Sequence, residues 1–110
     1  MKPSEKEKPL QDLKGSHKKY LRGLAHSLNP AAFVGYKGIT QTLIAEIDQA
    51  LDASEQIKVR VNEFKEKDQK TALIQEMAVA TASCVAGMVG HVAVFYREHR
   101  DPEKRRIRLP

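Results

Sequence analysis

Apolar positions along this chain change their period several times, and each change marks an element. Leu13, His17, Leu21, Leu24 and Leu28 recur at helical spacing. They predict a first helix, capped by Ser16 and running to about His26, with that stripe buried. Asn29-Pro30 ends it, because the residue before a proline is disfavoured in the α region. Residues 31–34 (Ala-Ala-Phe-Val) form a brief β-prone run. Thr40 then suits the N-cap of a second helix extending to Ala53. Its apolar face is Leu43, Ile44, Ile47 and Leu51, and its outer face carries Glu46, Gln49 and Asp52. Ile57-Lys58-Val59-Arg60-Val61 alternates strictly, which predicts a half-buried strand with Lys58 and Arg60 outward. Asp68 suits the cap of a third helix with Leu73, Ile74, Met77 and Ala80 inward. Two β-prone runs follow, Val85 to Val89 and Val92 to Tyr96. Gly90-His91 between them fits a two-residue hairpin turn.

The resulting order is α-β-α-β-α-β-β, an α/β pattern. Helices alternating with short strands, closed by a hairpin, imply a two-layer sandwich on a four-stranded mixed sheet. Residues 1–12 read as a charged, proline-containing leader, expected to be disordered. The folded domain is expected over 13–97. Residues 98–110 form a basic tail in which Ile107 and Leu109 alternate with Arg106 and Arg108, a pattern that suits an edge strand.

Composition narrows the class. A chain of 110 residues is one domain, and 41% hydrophobic content supplies a core although Trp is absent. No apolar run approaches the ~20 residues of a membrane span, and the charged N-terminus lacks the apolar stretch of a signal peptide. The expected location is therefore cytoplasmic. Cys84 is the only cysteine, which excludes an internal disulfide or a cysteine-rich metal site.

Net charge is +5, and its placement says more than its size. From Lys14 to Gly38 the chain carries Lys14, Lys18, Lys19, Arg22 and Lys37 and no acidic residue. The next stretch, to Gln56, carries Glu46, Asp48, Asp52 and Glu55 and no basic one. Such segregation suits a polyanionic partner. Lys18, Arg22 and His26 share one face of the first helix, with Lys19 beside them. The basic stretch closes on Gly35-Tyr36-Lys37-Gly38, between a strand and a helix start. Glycines there allow a tight turn and close approach to the main chain, and a helix N-terminus beyond offers unpaired N–H groups to a phosphate. KH-type modules clamp a nucleic-acid backbone with a loop of this kind. In that role Lys37 would neutralise a phosphate and Tyr36 would stack on a base or sugar.

Catalytic chemistry finds little support. His17, His26, His91 and His99 lack metal-ligand spacing and are not grouped with Cys84. No serine stands in a nucleophile elbow, and no Walker loop is present. No enzyme activity, cofactor, metal or small-molecule substrate is expected.

Taken together, Lys18-Lys19-Tyr20-Leu21-Arg22-Gly23-Leu24-Ala25-His26, Asn29-Pro30, the Gly35–Gly38 loop, Ile39-Thr40 and Glu46-Ile47-Asp48-Gln49-Ala50-Leu51 resemble the YhbY-like family. This is the stand-alone bacterial form of the CRM domain, named for chloroplast RNA splicing and ribosome maturation. Ile57-Lys58-Val59 and the ending Arg105-Arg106-Ile107-Arg108-Leu109-Pro110 are similar to it as well. The resemblance implies a fold like the C-terminal domain of translation initiation factor three, with a KH-like Gly-x-x-Gly loop. It also implies RNA binding and association with precursors of the large ribosomal subunit, in whose assembly the protein would assist. The RNA-contacting residues it implies are Gly35, Tyr36, Lys37 and Gly38, with Lys18, Lys19 and Arg22. The family often has Lys then Asn inside the loop, so Tyr36 and Lys37 move the charge by one position. The competing reading is a protein-interaction module that docks on a ribosomal protein or assembly factor through Glu46, Gln49 and Asp52.

Overall fold

The computed structural model describes residues 13–62 and 66–110, so the expected leader over 1–12 lies outside the described residues. Three helices and four strands follow one another in the expected order: α1 (Gly15–Ala25), β1 (Pro30–Val34), α2 (Gln41–Ser54), β2 (Gln56–Val61), α3 (Lys67–Thr81), β3 (Cys84–Val89) and β4 (Val92–Tyr96). The strands form one mixed sheet in the order β1-β2-β4-β3. β1 lies parallel to β2, while β4 runs antiparallel to both β2 and β3.

Strand alternation sends side chains to two different cores. Toward one face, Ala32, Val34, Ile57, Val59, Val61, Ala93 and Phe95 pack with Leu43, Ile47 and Leu51 of α2 and Ile74, Met77 and Ala78 of α3. Toward the other, Ala86, Val94 and Tyr96 meet Leu21 and Ala25 of α1, with Ile107 and Leu109 of the tail beside them. Two layers describe α2 and α3 against the sheet; α1 and the tail add a partial third.

Several local expectations shift for physical reasons. Lys14, not Ser16, is the N-cap of α1, and its N–H donates to His17 Nδ1 at 3.3 Å. Leu24 and Leu28 are 39% and 37% exposed, because the face turned to the sheet is set by Leu21 and Ala25. Those two residues are one turn apart, and a helix crossing a strip as narrow as Ala86, Val94 and Tyr96 buries only such a pair. Thr40 caps α2 as expected, its Oγ1 accepting from the Leu43 N–H at 3.1 Å. Glu66 instead of Asp68 is the N-cap of α3, with its N–H donating to Gln69 Oε1. Asp68 sits in the first turn, where a carboxylate suits the dipole. Ala80 is exposed, and Ala78 and Thr81 take the inward positions.

The tail is not an edge strand. It makes one 3-10 turn at Pro102–Lys104 and otherwise runs without sheet pairing. What holds it is Glu55, the left-handed residue that ends α2 (φ 63°) and is 1% exposed. Its carboxylate accepts the main-chain N–H groups of His99 (2.8 Å), Arg106 (2.6 Å) and Ile107 (3.0 Å). Burial pushes that carboxyl up, but the three N–H donors and the nearby His99 outweigh it and hold it below its ordinary 4.5.

Candidate nucleic-acid interface

β1 ends at Val34 on the rim of the sheet, and the chain turns at once. The Gly38 N–H donates to the Gly35 carbonyl at 3.1 Å, closing a four-residue turn with Tyr36 and Lys37 at its centre. Gly38 takes φ 73°, a conformation open to glycine at little cost. Tyr36 is 77% exposed and Lys37 is exposed as well. Ile39 then tucks against the main core, which ties the turn to the start of α2.

The first turn of α2 carries no acidic residue, although carboxylates are favoured at that end. Thr40 satisfies the Leu43 N–H, so the amides of Gln41 and Thr42 stand outside the helix's own ladder. Turn and helix start together form a rim rich in main-chain donors with no carboxylate in that turn.

The cations expected beside this rim are divided by the fold. Lys37 is within it. Lys18 and Lys19 are exposed on α1, which packs on β4 and on β3, the edge strand remote from β1. Arg22 is drawn inward: its Nη1 donates to the Ala86 carbonyl of β3 at 2.9 Å. Its Cδ lies only 2.7 Å from where a Cβ on Gly87 would stand, so a glycine there (φ 152°) is what lets the side chain cross the strand. β3 and β1 are three strand spacings apart, roughly 14 Å, so Arg22 does not adjoin the loop.

Two cations that alternation turned outward fill the space between. Lys58 of β2 is half-buried and donates to the Leu28 carbonyl at 3.0 Å. Arg60, level with Phe33 in the register of β2 on β1, is exposed and makes no ion pair with the described residues. The period-2 pattern over 57–61 already places both on one face. The sheet order that brings that face to the loop could not be read from it.

The acidic surface of α2 is partly committed. Arg97 bonds Asp48 Oδ1 at 2.6 Å and Asp52 Oδ1 at 2.8 Å, and also reaches the carbonyls of Asp48 and Thr81. Asp52 is therefore neutralised within the fold, while Glu46 and Gln49 remain exposed. Among the described residues no group of three or more His, Cys, Asp or Glu is placed to hold a metal ion. His17 faces the Pro110 carbonyl, His91 faces Lys70 Nζ at 2.5 Å, and His99 accepts from the Asp101 N–H. No described helix is long and apolar enough to cross a membrane.

Residues 13–97 match the model of the CRS1 / YhbY (CRM) domain, and the chain belongs to that family. A Haemophilus influenzae protein named "RNA-binding protein" is 36% identical over 98 residues, covering 89% of this chain and 95% of that one. "Probable RNA-binding protein YqeI" of Bacillus subtilis is 35% identical over 98 residues, with 89% and 99% covered. Among solved structures, hypothetical protein SAV1595 from Staphylococcus aureus superposes with a TM-score of 0.76 at 36% identity, over 90% of this chain and 100% of that one.

Proposed function

We propose that this chain binds RNA without catalysing a reaction on it, and that the Gly35–Gly38 turn with the start of α2 holds the sugar-phosphate backbone. The observation that carries this reading is the exposed turn itself, which feeds an acid-free helix start and carries Lys37. Two relatives named as RNA-binding proteins support the ligand class. Lys18 and Lys19 contribute attraction at longer range, while Arg22 serves mainly to seat α1 on β3. The RNA is ribosomal, within precursors of the large subunit in the cytoplasm, and the protein assists their assembly. Support for that finer assignment comes from the family resemblance.

Gly35→Asp is the direct test. A Cβ at Gly35 meets only Phe33 Cε1 at an ordinary 3.8 Å, so the variant is expected to fold, yet it puts a carboxylate where phosphate must approach. Filter binding should show a loss of about tenfold or more in RNA affinity, with an unchanged circular dichroism spectrum. Undiminished affinity removes the turn from the site. For the ribosomal assignment, the protein should sediment with large-subunit precursors and be released by nuclease; a protein pair that survives RNA digestion favours docking instead.

A further inference from the structure

Among the described residues, the face of the sheet under α1 is only half covered. Register pairs Phe33 of β1 with Arg60 of β2, Arg60 with Val92 of β4, and Val92 with Val89 of β3. Residues directly opposite on neighbouring strands share a face. The intervening Ala32, Val34, Val59, Val61 and Ala93 point into the α2–α3 core, so this row points the other way. α1 and the tail bury Ala86, Val94 and Tyr96 on that side and leave the row open. Phe33 is 58% exposed and Val89 67% exposed.

Single exposed apolar residues need no explanation. Phe33 differs in its neighbours. Its ring edge comes within 3.8 Å of where a Cβ on Gly35 would stand, so the ring borders the turn. Arg60, one strand spacing away at about 4.8 Å, has no acidic partner among the described residues. Lys58, two residues back on the same face, adds a second cation. An aromatic face with flanking cations, continuous with a phosphate-binding turn, has the chemistry of a stacking platform for a nucleobase.

We infer that the RNA surface extends from the turn onto this open face and takes an unpaired nucleotide, its base stacked on Phe33 and its charge met by Arg60. This rests on the reading of the turn as a phosphate site. It narrows the ligand to single-stranded segments, loops or bulges, because bases inside a duplex are already stacked and cannot splay onto a side chain. Phe33 supplies contact without charge, and Arg60 supplies charge beside it.

The test uses the full chain with a single-stranded oligoribonucleotide and a blunt duplex of the same sequence, measured by fluorescence anisotropy across a salt series. Phe33→Ala should weaken single-strand binding by about tenfold or more, leave its salt dependence unchanged and leave duplex binding unchanged. Arg60→Ala should weaken single-strand binding and lower the salt slope by about one. Phe33→Tyr should restore the affinity. Both side chains are exposed, so loss of folding is not expected, and circular dichroism checks it. Full single-strand affinity in Phe33→Ala overturns the platform, and if Gly35→Asp still weakens binding the turn reading stands alone. Equal loss on the duplex overturns it too. So does a change in sedimentation showing that Phe33→Ala abolishes self-association with RNA affinity intact.

Discussion

Glu55 joins the end of α2 to β4 and the tail. Its left-handed backbone ends α2, its N–H returns to the Leu51 carbonyl, its carbonyl takes the Arg97 N–H, and its carboxylate fixes the tail. A carboxylate with three main-chain donors is stabilised in its ionised form. Because its folded pKa is depressed, the stability it contributes is present above the ordinary 4.5 and is lost as pH falls through the folded value. Acid should therefore release the tail. Glu55→Ala should release it at neutral pH, at a cost of about 2–3 kcal/mol, and hydrogen exchange at the Arg106 and Ile107 amides would report either event. Protection that survives both changes would mean the tail is held by Ile107 and Leu109 alone. Sequence showed Glu55 only as one more acid near a helix end, because nothing local announces donors lying more than forty residues away.

At the scale of elements, α2 was legible almost to the residue. Its apolar face, its cap and its end all depend on neighbours within one or two turns, which local pattern records. α1 is legible as a helix but not in the face it buries, because the stripe Leu13, His17, Leu21, Leu24 and Leu28 is wider than the strip of sheet beneath it, and only the sheet decides which of them is buried. Leu21 is fully buried at the centre of the smaller core. Leu21→Ala should cost about 2–5 kcal/mol through the cavity it leaves, while Leu24→Ala should cost under about 1 kcal/mol. Chemical denaturation distinguishes them, and equal costs would show that both leucines pack. The hairpin of β3 and β4 was also legible, from Gly90-His91 between two β-prone runs. Alternating Ile107 and Leu109 suit an edge strand, but the same pattern serves equally well to dock an extended segment on a core.

For the whole molecule, charge is segregated in space as well as in sequence. Ion pairs among the described residues gather at Arg97 with Asp48 and Asp52, and at Arg105 with Glu98. Lys18, Lys19, Lys37 and Arg60 stand outside them. Log affinity for single-stranded RNA should fall linearly with log salt concentration, each phosphate contact contributing about 0.7 to the slope. Lys37→Ala should remove about one contact from that slope. Lys18→Ala with Lys19→Ala should change it less, since α1 packs mainly across β4 and β3, away from the turn. A larger effect from the α1 pair would move the centre of the footprint onto the helix. Arg22→Ala is a poor probe, because it also breaks the bond to Ala86.

The elements, their order, the α/β class and the glycine turn before α2 are all legible in local pattern. Each of these follows from periodicity, capping and turn chemistry, which act over a few residues. Tertiary structure decided which faces those elements share. It divided the helices between the two sides of the sheet, drew Arg22 down onto β3, and lifted Phe33 and Arg60 into one row beside the turn. The physical reason is that a strand's alternation names two faces without saying what covers either. Among the described residues, the pairing of β1 with β2 and the packing of α1 across the far strands leave that part of the sheet open.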